Sequence, residues 1–419
     1  MLNILSPGLK SKLAVSMGFE AAMRRRRQLS DLNESVKSVA KFARPGYWAS
    51  APAYEQFARD GYRLVKISYP DRVGHLCLET DALLKDMAMQ GHDTKKLVMV
   101  DIKERFANPH IVGYFKRYLT VVDSSPVADF VRSYGDPHGV LIDTQPYALA
   151  LFGTAKAFEI YAKWGDRGPL FELSSDDRES LRDYLAEAGL PADAWYVCVH
   201  AREGGYNSKY ESMHRYRNVD IATYSQAIEE IARRGGWCVR VGDSSMRPHP
   251  KHPRVIDYAL SERKSSQLDV ALPAGCRFFL GSASGAFNLA DLFGRPCVIT
   301  NMAPLSNVYA SKPTDLSIAQ RLRDRNGRYL AFSEIMQREC AEYRLNEQFV
   351  AHGLECVRNT PEDIRDVVVE LLDRLDGTAV YTEDDVRRQR EFRGYFHEGH
   401  YSCGAASSIG RDFLRKYGQ

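Results

Sequence analysis

A chain of 419 residues is too long for one compact core and points to two domains of ordinary size. Hydrophobic content of 44%, charged content of 26% and a formal net charge of +3 describe a globular protein and argue against bulk nucleic-acid binding. Eight scattered cysteines without a CxxC pair argue against a zinc ribbon or disulfide scaffold, and make a reducing cytoplasm the natural home.

Residues 1–50 form a basic arm. Its first thirty residues lack the apolar core of a signal peptide, and no run in the chain approaches the ~20 apolar residues needed to cross a bilayer. Arg24 to Arg27, with Leu9, Leu13 and Met17 nearby, reads as a solvated helix packed on its own domain. The alternative is a basic amphipathic helix lying on an anionic membrane surface, which would make the protein peripheral to the inner membrane. An Arg-rich, acid-poor transit peptide is a third reading.

Strands and helices then alternate. YRLVKISYP (62–70) reads as a buried strand, and DRVGHLCLETDALLKDMAMQ passes through a Gly turn into an amphipathic helix. KKLVMVDI (95–102) is a strand, HIVGYFKRYLTVV and VADFVRSY have helical spacing, and GVLIDT (139–144) is a strand again. PYALALFGTAKAFEIYAKW follows as a helix. A second alternation opens at Ser174, an N-cap with Asp177 in the first turn, and that helix ends at Gly189 and Pro191. Strand WYVCVHA, a helix from Asp220, strand WCVRVGD, short strand RVIDYA, helix SSQLDVAL, strand CRFFLG, helix SGAFNLADLFG and strand PCVIT succeed one another. A last helix opens with the capping box Thr360-Pro361-Glu362-Asp363. Such alternation indicates parallel sheets covered on both faces. The expected fold is α/β, two doubly wound Rossmann-like domains over residues 51–170 and 171–375, joined near residues 165 to 190. A charged, aromatic tail (376–419) is expected to pack back across them.

Ligands of open parallel sheets bind at the carboxyl ends of strands, and three ends in the second half stand out. In VCVHAREGGYNSKYESMHRYRN (197–218) the strand delivers His200 and Arg202, and Gly204-Gly205 permit close approach of the backbone to a ligand. Arg202 offers a fork of donors to phosphate, supported by Lys209, Arg215, Arg217 and Asn218. His200 also suits a satisfied core position, and Arg202 a pair with Glu203 or another acid. In FFLGSASGAFNLADLFG, Ser282, Ser284 and Gly285 open a helix whose N-terminus suits an anion, although serines also serve as plain caps. In RVGDSSMRPHPKHPRVIDYA, Asp243, Asp257 and Tyr258 suit a base or ribose, while His249 and His252 lie in a Pro-broken loop rather than a metal site.

VHAREGG resembles the H-x-R-x-G element of the fucosyltransferase and protein O-fucosyltransferase superfamily, and FFLGSASGAFNLADLFGRP resembles its later Ser-rich turn and helix. HAREGGYNSKY…HRYRNVDIATY, VGD…VIDYA, the Asn301 turn, RVGHL near residue 73 and SIGRDFLRKY are closer to a poorly characterised family of bacterial proteins assigned as glycosyltransferases. The resemblance covers most of residues 60 to 419. It implies a GT-B fold, with an acceptor domain, a nucleotide-sugar domain and a cleft. It also implies a donor-pyrophosphate role for Arg202 and a share of the same site for Ser282 and Ser284. Glu-Gly-Gly follows Arg202 where an Arg-Gly-Asp type run is common, so GDP-fucose is not assumed.

The function expected on this basis is an inverting, metal-independent hexosyl- or deoxyhexosyl-transferase, moving sugar from a nucleotide-diphosphate donor to a glycan, lipid-linked or other hydroxyl acceptor. The cations would stabilise the leaving diphosphate in place of a metal, so no cofactor is expected. His75 and Glu79, with Glu203 as a further candidate, would supply the acceptor's base. No nucleic-acid partner is expected. An NAD-dependent oxidoreductase fares poorly, because DRVGHL stands where a G-x-G-x-x-G would be needed. The alternative is a non-catalytic nucleotide-sugar-binding or scaffold protein on the same fold.

Overall fold

A computed structural model describes residues 58–101, 106–123, 139–148, 156–206, 208–308 and 312–418. The expected basic arm lies outside these residues, as does the run VADFVRSY. The chain divides into two units, Met1–Ala148 and Leu149–Gln419, earlier than the joint expected near residues 165 to 190. No helix among the described residues is long and apolar enough to cross a membrane.

Unit 1 contains β1 (Arg63–Lys66), α1 (Val73–Met89), β2 (Leu97–Asp101), α2 (Pro109–Phe115), β3 (Thr120–Asp123) and β4 (Leu141–Asp143). Its sheet runs β3-β2-β1-β4 with every pair parallel. Leu64 and Val65 bury both faces of β1, and Leu76, Leu83 and Leu84 bury one side of α1. Asn108 caps α2 by accepting from the N–H groups of His110 and Ile111 at 2.9 and 3.1 Å. The stretch expected to be helical through residue 122 ends at Phe115, and the β-branched Thr120, Val121 and Val122 extend into β3 instead.

Unit 2 contains α3 (Lys156–Trp164), α4 (Ser175–Glu187), β5 (Tyr196–His200), α5 (Ser208–His214), α6 (Ser225–Arg233), β6 (Trp237–Arg240), β7 (Val255–Ile256), α7 (Ser266–Gly275) and β8 (Phe278–Ser282). It continues with α8 (Phe287–Leu292), β9 (Cys297–Met302), β10 (Leu316–Ala319), β11 (Arg321–Arg323), α9 (Phe332–Met336), α10 (Asn346–Ala351) and β12 (Glu355–Val357). It closes with α11 (Pro361–Leu375), α12 (Glu383–Gly394), β13 (Ser408–Ile409) and α13 (Arg411–Tyr417). Seven parallel strands run β13-β10-β9-β8-β5-β6-β7. The tail supplies the edge strand β13 of this sheet.

Period-two alternation explains why both faces are covered. Val197 and Val199 of β5 join one core cluster with Ile228, Ile231, Val368 and Leu371 of α6 and α11. Tyr196 and Cys198 join the other with Tyr184, Leu185, Leu268 and Leu272 of α4 and α7. Both expected caps form: Ser174 accepts from Asp177 N–H at 3.1 Å, and Thr360 and Asp363 make a reciprocal capping box.

Candidate functional site

In unit 2 the chain lays β6 and β7 on one side of β5, then crosses to lay β8, β9 and β10 on the other. The direction reverses between β5 and β8, and the carboxyl side of such a switch point is where open parallel sheets form ligand crevices. His200 pairs in register with Gly281, so β5 and β8 end side by side. Arg202 donates its backbone N–H to the Oγ of the buried Ser282 at 2.8 Å, fixing the loop after β5 to the end of β8.

The Arg202 guanidinium donates to the His214 carbonyl at 3.3 Å and to Asn218 Oδ1. Arg217 reaches across to the Ala283 carbonyl, with Nε at 3.1 Å, so a second guanidinium is anchored at the turn after β8. Burial lowers the Arg202 pKa, and the neighbouring positive charge of Arg217 lowers it further. Among the described residues the carboxylate facing Arg202 is Glu211, its Oε2 4.0 Å from Arg202 Nη2. Arg202, Arg217 and Asn218, read from sequence as one cationic group, are thus brought together. The Lys209 side chain lies outside the described set.

The glycine pair is explained by what it faces. A Cβ on Gly204 would lie 2.6 Å from Glu211 Oε1. Gly205 has φ +117 and presses against Ser245, where a Cβ would lie 2.8 Å from Oγ. Ser245 is itself held by Asp243, whose Oδ1 accepts the Ser245 N–H at 2.9 Å, so Asp243 organises its own turn.

Several expected site residues have other tasks. Arg240, 1% exposed at its side chain, meets Asp257 through both carboxylate oxygens at 3.0 Å and Glu203 at 3.2 Å. Glu203 also accepts the Arg247 N–H at 3.0 Å, and Asp257 the His249 N–H at 2.9 Å. Glu203 is therefore a counter-ion rather than a free base, and Asp257 is engaged before any ribose. Tyr258 is fully buried, and its hydroxyl donates to Asp269 at 3.0 Å while its ring meets Tyr184 edge-on. It presents no face to a base; burial pushes its phenol pKa up. His200 is buried, with Nδ1 3.1 Å from the Val241 carbonyl, and burial lowers its pKa. It has the geometry of a satisfied core histidine.

The Ser-rich turn also departs from expectation. Ser282 belongs to β8, and α8 begins only at Phe287 and spans six residues, so no long helix opens on the serines. Ser284 Oγ accepts the Ala286 N–H at 3.3 Å, and the Gly285 carbonyl accepts from Asn288 Nδ2 at 3.2 Å. Asn288 was not foreseen: it is 6% exposed, and among the described residues its Oδ1 has no hydrogen-bond partner. A buried acceptor left unmade costs about 1–3 kcal/mol, so this oxygen is suited to a donor group of a ligand.

Unit 1 has its own switch point, between β1 and β4. Glu79 is fully buried there, accepting from Ser68 N–H at 3.0 Å after β1 and from Thr144 Oγ1 after β4. Its other oxygen lies 2.6 Å from His75 Nδ1. The His75 side chain is 13% exposed and stacks edge-on to Tyr69. A carboxylate on Nδ1 fixes the imidazole so that Nε2 is the proton acceptor, the arrangement of an oriented base. His75 and Glu79 thus form one hydrogen-bonded pair, the carboxylate orienting the imidazole. Among the described residues, no group of three or more His, Cys, Asp or Glu side chains is placed to hold a metal ion.

No protein-family model matches the chain, and no curated protein matches it. Solved structures match at 12% identity. A glycosyl transferase family 9 protein from Veillonella parvula DSM 2008 aligns over 57% of this chain and 80% of its own, with a TM-score of 0.36. The iron-containing dodecameric glycosyltransferase TibC from enterotoxigenic E. coli H10407 aligns over 59% of this chain and 60% of its own, with a TM-score of 0.30. The iron-containing heptosyltransferase TibC in complex with ADP-D-beta-D-heptose aligns over 57% of each chain, with a TM-score of 0.32. Likenesses this distant bear no weight for function. The fold class, α/β with two doubly wound parallel sheets, stands on the strand orders themselves.

Proposed function

We propose that the chain is a glycosyltransferase whose second unit binds a nucleotide-diphosphate sugar at its switch point. The observation that carries the reading is the pair of guanidiniums, Arg202 and Arg217, held close together and anchored to the two loops of that switch point. Two guanidiniums at one strand-end crevice favour an anion, and guanidinium forks match phosphate oxygens. Charge growing on the leaving diphosphate would be stabilised by these preorganised cations, so transfer is proposed to need no metal. Asn288 Oδ1, an acceptor, suits a hydroxyl or amine of the donor. His75, oriented by Glu79, is proposed to take the proton of the acceptor hydroxyl, with inversion at the sugar carbon as the stereochemical outcome.

The test is calorimetric titration of GDP, UDP, ADP and dTDP into the wild type and Arg202→Ala, followed by turnover with the corresponding sugars. Binding that depends on Arg202 supports the donor site, and product formation separates an enzyme from a binding protein. Nucleotide bound with equal affinity after Arg202→Ala overturns the reading.

A further inference from the structure

We propose that the Glu211 carboxylate occupies a ligand-phosphate position between Arg202, Asn218 and Gly204, and leaves it when a diphosphate binds. The inference deepens the donor-site reading and rests on it for the identity of the ligand. Three contacts define the position. Asn218 Nδ2 donates to Glu211 Oε1, Arg202 Nη2 stands 4.0 Å from Oε2, and the bare Cα of Gly204 faces both oxygens. A cation, an amide donor and an open glycine are the components of an oxyanion subsite, and a carboxylate is the nearest side-chain analogue of a phosphate edge.

Glu211 is held by the Asn218 amide, whereas its ion pair with Arg202 is weak. Its carboxylate makes no hydrogen bond to the Arg202 fork: Nη1 donates to the neutral Asn218 Oδ1 and His214 carbonyl, and Nη2 stands 4.0 Å from Oε2. At 4.0 Å, with the two side chains 20% and 30% exposed, the pair is at the limit of ion pairing. A diphosphate carries more charge and matches the fork in two places, so it outcompetes the carboxylate for the same guanidinium. Glycine at 204 serves either anion for the same reason: any side chain there would fill the space the oxygens take. Glu211 therefore keeps the Arg202 guanidinium partly neutralised without ligand, at a cost to affinity.

A role in which Glu211 simply orients Arg202 gives the opposite sign, and that is the basis of the test. Affinity for inorganic pyrophosphate and for ADP, GDP, UDP and dTDP is measured by calorimetry at low and moderate salt on the wild type, Glu211→Gln, Glu211→Asp and Glu211→Gln/Arg202→Ala. Glu211→Gln is expected to tighten pyrophosphate and the bound nucleotide about tenfold, the effect of removing one like-charged neighbour at a part-exposed site. Glu211→Asp, which keeps the charge on a shorter arm, is expected to fall between it and the wild type. The double variant should lose the gain. Unchanged or weaker binding in Glu211→Gln overturns the inference, while Arg202-dependent nucleotide binding would leave the donor-site reading standing. Pyrophosphate tightened without any nucleotide bound sustains the subsite and overturns that reading. No binding of any of these anions to either protein overturns both.

Discussion

The backbone N–H of Arg202 and the hydroxyl of Ser282 meet at 2.8 Å, joining the ends of β5 and β8 where the unit 2 sheet reverses direction. This single bond places the arginine. With its main chain tied to one strand end, its guanidinium is left to work above the crevice, where Arg217 reaches it from the Ala283 carbonyl. Unit 1 repeats the device with different chemistry. Thr144, after β4, donates to the Glu79 that orients His75 after β1. In each unit a hydroxyl from across the switch point fixes a residue of the proposed site.

Ser282→Ala removes the acceptor of the Arg202 N–H. An amide left without its partner at a part-buried site costs about 1–2 kcal/mol, so urea unfolding should register a loss of that size. The Arg202 loop gains freedom, and nucleotide affinity should fall about three- to tenfold as ordering is charged to binding. An Ala variant of full stability and full affinity removes Ser282 from this role.

Arg240→Met is the stability experiment. The arginine is buried with Glu203 and Asp257 as its counter-ions, and each carboxylate also holds a backbone N–H of the loop before β7. Removing one member of a buried charge group typically costs about 3–5 kcal/mol, because the remaining charges stay desolvated. Denaturant midpoints should fall accordingly, whereas Glu203→Gln/Asp257→Asn/Arg240→Met should recover part of the loss by removing the charges together. No recovery in the triple variant means that packing, not charge, sets the cost.

His200 gives a pH dependence with a definite sign. Burial lowers its pKa in the folded chain below the value of 6.5 expected when unfolded. The folded state therefore holds the neutral imidazole, and the unfolded state takes up the proton first as pH falls. The contribution is complete above about pH 6.5 and is lost progressively toward the lower folded value. Urea unfolding at pH 7.5, 6.5 and 5.5 should show stability falling on the acid side, and His200→Gln should flatten that slope. Equal slopes in the two proteins would contradict the assignment.

The fold was legible where apolar runs were long and bounded by glycine or a cap. WYVCVHA and CRFFLG became β5 and β8, and Thr360 caps α11 as its capping box requires. The two-residue β13 and the strand β10 carry too little local pattern to announce themselves, and only their neighbours make them strands. In the candidate site, the partners of the residues were not legible. Ser282 looks like a helix cap in sequence, because its actual partner, the Arg202 N–H, lies eighty residues away. Tyr258 looks like a surface ring because nothing local shows that Tyr184 and Asp269 enclose it. Arg240 did leave a signal, a charge inside the apolar run WCVRV, which demands buried counter-ions. Glu211 was masked by the cations around it.

Arg202→Lys and Arg202→Ala test the centre of the proposed donor site. Lysine keeps the charge and loses the planar fork, so it cannot bond Asn218 and a phosphate in the same geometry. A hydrogen bond to a charged partner is worth about 1.5–3 kcal/mol, so alanine should weaken nucleotide binding roughly ten- to a hundredfold, with lysine recovering only part. Melting temperature should change little, because the side chain is partly exposed and its backbone bond to Ser282 survives either substitution. Loss of stability with unchanged affinity would instead mark the arginine as a strut for residues 211–218.

His75→Ala and Glu79→Gln separate proton transfer from donor binding. The imidazole is the more exposed member of the pair, and the fully buried carboxylate fixes which nitrogen carries the proton. A positioned general base contributes typically about 10²–10⁴-fold to rate, so His75→Ala should lower kcat within that range while nucleotide affinity in unit 2 stays at the wild-type level. Glu79→Gln is nearly isosteric, yet its amide can offer a donor where the carboxylate offered only acceptors. It accepts from Ser68 N–H and Thr144 Oγ1 through one oxygen and faces His75 Nδ1 with the other. Keeping the two former bonds requires the amide oxygen on that side, which turns the NH₂ toward Nδ1 and makes Nδ1 the acceptor. The imidazole proton then moves to Nε2, the nitrogen that must take the acceptor's proton, and the base is blocked. Glu79→Gln should therefore lower kcat by as much as His75→Ala, with KM for the donor unchanged, and the double variant should be no worse than either alone. A Glu79→Gln enzyme of full kcat, or a double variant whose losses multiply, would show that the two residues do not act as one.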